Sequence, residues 1–103
     1  MNSEVRFERA SDGRVRIDGR LTFETVDERL LERSRQVFAE PGDLVIDFAG
    51  VAEGDSAGLA LMIEWRSWAD RDGRAIAFEQ VPASLIGIAD ISDVSEILGL
   101  AAD

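Results

Sequence analysis

Residues Leu44 to Arg71 read LVIDFAGVAEGDSAGLALMIEWRSWADR, in the order strand, loop, helix. Leu44-Val45-Ile46 are apolar at successive rather than alternate positions. That suits a strand covered on both faces, so Leu44 to Phe48 is predicted to lie at the centre of a sheet. Gly50 to Gly58 reads as a turn poor in bulky side chains near its end. The backbone N–H groups of Asp55, Ser56 and Ala57 are then reachable at the start of the following helix, Ala57 to Arg71, which contains no proline. A point of recognition or regulation is expected there.

Working outward, Val5, Phe7, Val15 and Ile17 alternate with charged residues on either side of Ser11-Asp12-Gly13, the pattern of a hairpin of two half-buried strands ended by Gly19. Thr25-Val26-Asp27-Glu28 matches a capping box. Val26, Leu30, Leu31, Val37 and Phe38 follow on one helical face, predicting a helix from Glu24 to Ala39. Its other face, Asp27, Glu28, Arg29, Glu32, Arg33 and Arg35, reads as solvated. Pro41-Gly42 stops it. Beyond the central helix, Asp72-Gly73 supplies a C-terminal stop, and Arg74 to Glu79 reads as a fourth strand in a βαβ unit, normally parallel. Pro82 opens a third helix containing Leu85, Ile86, Ala89 and Ile91. Asp93-Val94-Ser95-Glu96 is a second capping-box match, opening a last helical turn with Ile97 and Leu98 inward and Gly99 at its end. The predicted fold is α/β, one domain over 1–103 with a four-stranded mixed sheet and packed helices in the order ββαβαβαα.

Composition excludes much chemistry. The chain has no cysteine and no histidine, removing disulfides, thiolate metal sites and the commonest general base. With 21 acidic against 11 basic residues and a net charge of −10, it repels nucleic acids and anionic lipid surfaces. All the basic residues are arginine, suited to bidentate pairing with a partner's carboxylates. Met1 to Glu4 is polar and carries no signal core, and Ala57 to Ile63, the longest uncharged apolar run, is too short to span a bilayer. A soluble, cytoplasmic protein without direct membrane insertion is expected.

Asp55-Ser56-Ala57-Gly58 is the sharpest local feature. Ser56 is expected at the N-cap of the central helix, where it serves either as a cap alone or as a site for phosphate or partner recognition. Asp47, Glu53 and Asp55 border the same loop, but without a lysine, a histidine or a nucleophile–base pair no catalytic residue, metal or cofactor is assigned. Leu61, Trp65 and Trp68, at i, i+4 and i+7, are predicted to face the core. Leu59, Met62 and Ile63 lie to the sides, where either the fold or a partner covers them. Glu64, Arg66, Ser67, Asp70 and Arg71 form the remaining polar face.

These residues resemble the STAS domains, named for sulfate transporters and anti-sigma factor antagonists. The resemblance covers nearly the whole chain and rests on the hairpin, Gly19-Arg20-Leu21, Val45-Ile46-Asp47-Phe48 and the signature Asp55-Ser56-Ala57-Gly58-Leu59. With Ala60 and Leu61, the signature is most similar to the D-[ST]-[AG]-G-L-A-L segment of the MlaB group, small cytoplasmic subunits of Mla-type phospholipid ABC transporters. The resemblance implies a non-catalytic subunit that binds the transporter's ATPase through Gly54, Asp55, Ser56, Ala57 and Gly58, with Leu59, Met62, Ile63 and Arg66 on the flank of the helix. It also implies an alternative, an anti-sigma factor antagonist whose Ser56 is phosphorylated by a partner serine kinase. Two residues depart from the family pattern. Thr22 replaces a frequent aspartate, exchanging one helix-capping side chain for another, and Gly54 replaces an apolar residue, which predicts a looser loop.

Overall fold

The computed structural model describes residues 4–10 and 12–100. Two strands, β1 (Arg6–Arg9) and β2 (Val15–Leu21), pair antiparallel with Phe7 opposite Ile17 and Glu8 opposite Arg16. Gly13, at φ 90°, makes the reversal; of the predicted turn Ser11-Asp12-Gly13, Ser11 lies outside the described residues. Gly19 does not end β2. It sits at φ 123° beside a register irregularity, and a β-carbon there would stand 3.2 Å from the Glu4 carbonyl oxygen. The strand kinks at this glycine and continues to Leu21.

Helix α1 (Glu28–Val37) begins at Glu28 rather than Glu24. Thr25 cannot cap it, because its hydroxyl accepts from the Thr22 N–H at 3.0 Å and donates to the Arg20 carbonyl at 2.6 Å. Asp27 takes over, accepting from Leu30 N–H at 2.9 Å. Thr22 caps a turn rather than a helix, its hydroxyl accepting from Glu24 N–H. The outer face of α1 is not wholly solvated. Arg33 donates to the Val5 carbonyl at 2.8 Å, and Arg35 lies over the Trp68 ring at 4.2 Å.

Strand β3 (Leu44–Gly54) is interior, parallel to both β2 and β4 (Ile76–Glu79), giving the order β1-β2-β3-β4. The predicted turn from Gly50 is therefore strand as far as Gly54. Coverage on both faces is also not observed: Leu44, Ile46, Phe48 and Val51 are buried, whereas Val45 and Asp47 are half-buried and Ala49 is exposed. The open face carries charge instead, with Glu8, Arg16, Asp47 and Glu79 in register across all four strands. Val45 belongs to that face opposite Ala77.

Helix α2 (Ser56–Arg71) ends with Gly73 at φ 68° and the Arg74 N–H bonded to the Ala69 carbonyl at 2.8 Å, a Schellman closure. Arg74 lies outside β4. Its guanidinium donates to the carbonyls of Phe38, Glu40 and Gly42 and ties down the end of α1. Helix α3 (Ala83–Ile91) packs on α2 and β3 through Leu85 and Ala89. Ile91 is 86% exposed, and Ile97, predicted inward, is exposed as well. Asp93 is not a helix cap, because it adopts φ 62° and closes α3, with Val94 N–H on the Ala89 carbonyl. A single hydrogen-bonded turn from Val94 to Leu98 completes the fold, a four-stranded mixed sheet with packed helices.

Trp65 is the hub of the core. It is fully buried and meets Phe7, Phe38 and Phe48 edge to face, with centroids 5.2–6.5 Å apart. Its indole N–H donates to the buried Ser34 hydroxyl at 3.0 Å, which donates in turn to the Leu31 carbonyl. Trp68, predicted to face the core, lies at its margin, half-buried, with its N–H on Glu64.

Candidate partner-docking site

The ends of β2 and β3 and the start of α2 meet at Asp55. Its N–H donates to the Leu21 carbonyl at 3.1 Å, which extends the β2–β3 pairing by one more bond. Its side chain then acts twice: one carboxylate oxygen accepts from Ala57 N–H at 2.9 Å and the other from Phe23 N–H at 3.1 Å. Asp55, not Ser56, is the N-cap of α2. Ser56 is the first helical residue, exposed, with its hydroxyl free of hydrogen bonds to the described residues.

The two glycines of the segment are packing positions. At Gly58 a β-carbon would lie 2.5 Å from the Leu21 carbonyl oxygen, so the missing side chain is what lets the first turn of α2 press onto the end of β2. At Gly54 it would lie 2.7 Å from Leu85. The looser loop expected from Gly54 is therefore not found: the residue is buried, closely packed, and donates to the Ser84 hydroxyl at 3.2 Å.

The predicted flank of α2 divides. Leu59 and Met62 are core residues, 5% and 0% exposed, on a helix that packs against both α3 and β3, so they present almost no surface to a partner. Ile63 is 39% exposed. Arg66 is half-buried, held by Asp70 at 3.1 Å and by the Ile97 carbonyl. Ser56, Ala60 and Ile63 form the solvent face of the first turns of α2, a stripe with no charge in a chain of net charge −10. Ala57 is half-buried at its edge.

The acidic residues bordering the segment do not converge. Asp47 accepts from Ala49 N–H at 2.9 Å on the open sheet face. Glu53 pairs with Arg20, Nε to carboxylate at 2.8 Å, and this pairing raises the Arg20 pKa. Among the described residues no three acidic side chains gather where they could hold a metal ion. Nor is any helix of the described residues long and apolar enough to cross a membrane.

Sequence reasoning missed Phe23. It is 74% exposed on the turn Thr22–Thr25, bound through its N–H to the Asp55 cap. Its only signal was position, an aromatic residue between two threonines in a stretch without strand or helix periodicity.

The family model described as Mlab, STAS domain matches residues 5–100, and the chain belongs to the STAS-domain family. No curated protein matches it significantly.

Proposed function

We propose that this chain is the STAS subunit of an Mla-type phospholipid ABC transporter, docked in the cytoplasm on the ATPase subunit and supporting phospholipid transport and outer-membrane lipid asymmetry. The observation that carries this reading is the uncharged stripe Ser56, Ala60 and Ile63, presented beside a rigid cap within a chain matched by the Mlab-type STAS model. A face of small side chains around one isoleucine allows close approach of another protein with little desolvation of charge. No bond is made or broken here. The subunit contributes shape and contact, and the ATPase supplies the chemistry.

A specific observation favours a second reading. Because Asp55 does the capping, the Ser56 hydroxyl is exposed and uncommitted, as a residue phosphorylated by a partner kinase must be. Phosphate there would add close to two negative charges beside the Asp55 carboxylate, enough to expel an uncharged docking partner.

The test is to tag the protein at its native level, purify it gently in mild detergent and identify by mass spectrometry what accompanies it. An ABC ATPase with its permease supports the transporter reading. A serine kinase together with phosphate on Ser56 replaces it with the signalling switch. In the recovered complex, Ser56→Arg is expected to weaken binding while the circular dichroism stays native, and unchanged affinity would remove Ser56 from the contact.

A further inference from the structure

Phe23 stands exposed on a turn whose backbone is closely hydrogen-bonded. The Thr22 N–H donates to the Thr25 hydroxyl at 3.0 Å, the N–H groups of Thr25 and Val26 both reach the Thr22 carbonyl at 2.9 Å, and the Thr25 hydroxyl is anchored on the Arg20 carbonyl. Phe23's own N–H is held by Asp55 at 3.1 Å. A ring on a loose loop would fold back onto the nearest apolar surface. Here the turn that carries the ring is held by hydrogen bonds on both sides of it, and Phe23 is 74% exposed. A partner that covers it loses no loop entropy, and a rigid, protruding aromatic side chain is the type that concentrates binding energy.

The surroundings define the chemistry of what covers it. Beside the ring lies a shallow depression lined by Arg20, Thr22, Glu24, Glu53, Gly54 and Asp55. Arg20 pairs with Glu53 and also lies within the field of Glu24, so the three carboxylates of Glu24, Glu53 and Asp55 against one guanidinium set the sign of the rim. The rim is acidic around an apolar centre, so its complement is an apolar pocket bordered by arginine or lysine.

We infer that Phe23 is a docking anchor, its ring entering an apolar pocket of a partner protein whose lip carries basic side chains facing Glu24 and Asp55. This rests on the docking reading above and extends the contact from the α2 stripe to the turn after β2. The Asp55 carboxylate joins the two halves, accepting from Phe23 N–H on one side and capping the Ser56 turn on the other.

The test places a photoreactive benzoyl-phenylalanine at Phe23, at Ile63 or at Ala77 on the open sheet face in separate full-length chains, expressed in their own cells, and maps the cross-linked peptides. The expected result is cross-linking from positions 23 and 63 to one protein, at position 23 within reach of an arginine or lysine, and none from 77. With that protein purified, Phe23→Ala is expected to weaken binding about thirtyfold, the scale of a hot-spot residue. Glu24→Arg should weaken it about tenfold and reduce its salt dependence, whereas Glu32→Arg on the outer face of α1 should leave it unchanged. All three variants should melt with the parent. Cross-linking from 63 but not 23 overturns the anchor and leaves the docking reading standing. Cross-linking from 77 alone, or from none of the three, overturns both, and cross-linking of position 23 to lipid overturns the anchor in favour of a membrane contact.

Discussion

Replacing Asp55 separates what holds the site together from what meets a partner. In Asp55→Ala both carboxylate bonds disappear. The lost N-cap costs about 1 kcal/mol, and the lost bond to Phe23 N–H, at 3.1 Å, adds about 1 kcal/mol more. Asp55→Asn keeps a capping oxygen, but an amide has only one, so the second bond fails and about half of the loss is expected. Ser56→Ala should change stability by less than about 0.5 kcal/mol, because the hydroxyl is exposed and makes no hydrogen bond to the described residues. At about 4–8 °C per kcal/mol for a domain near this size, thermal melts followed by circular dichroism should rank parent and Ser56→Ala together, Asp55→Asn next, and Asp55→Ala lowest, down by about 8–16 °C. If Ser56→Ala melts as low as Asp55→Ala, the assignment of the cap is wrong. Affinity for the partner should fall in the Ser56→Arg variant without any such drop in melting temperature.

Ser34→Ala leaves the Trp65 indole N–H without its acceptor in the core, since that bond of 3.0 Å is its only one to the described residues, and should lower stability by about 1–2 kcal/mol despite alanine's better helix propensity. In the double variant with Trp65→Phe the loss from Ser34→Ala should shrink, which a double-mutant cycle of urea melts would show. Gly58→Ala should destabilise by about 1–3 kcal/mol, because the added methyl meets the backbone oxygen of Leu21 rather than a movable side chain; a melt as high as the parent's would mean that α2 can lift off β2. The Asp12 carboxyl is held below its ordinary value of 3.8 by the Arg14 backbone N–H and guanidinium. Its stabilising contribution is therefore present above pH 3.8 and is lost as the pH falls through the lowered value. Asp12→Asn should remove that part of the acid dependence in melts at graded pH.

Much of this was legible in the chain. The hairpin alternation of Val5, Phe7, Val15 and Ile17, the strand at Leu44, the proline-free helix to Arg71 and the Gly73 stop follow from local periodicity and turn chemistry, which need no knowledge of neighbours. Capping was less legible. Thr25 and Ser56 have the right side chains for caps, yet each was displaced by an aspartate: Asp27 because Thr25 was engaged with Arg20 and Thr22, and Asp55 because its two oxygens serve two elements at once.

The sequence by itself determined the order of elements and the segment where recognition is expected, because residues close in the chain set both. Only the tertiary structure decided which sides of that segment face outward. Leu59, Met62 and Ile63 are equally apolar on paper; packing of α2 on α3 and β3 buries the first two and leaves the third partly in water. The apolar run at Val45 implied a sheet covered twice, while the charged rows of the neighbouring strands left one face open. Phe23 is tied to the start of α2 by a hydrogen bond to Asp55, a residue far along the chain. Hydrophobicity states what a side chain prefers, and exposure depends on which neighbour arrives to cover it.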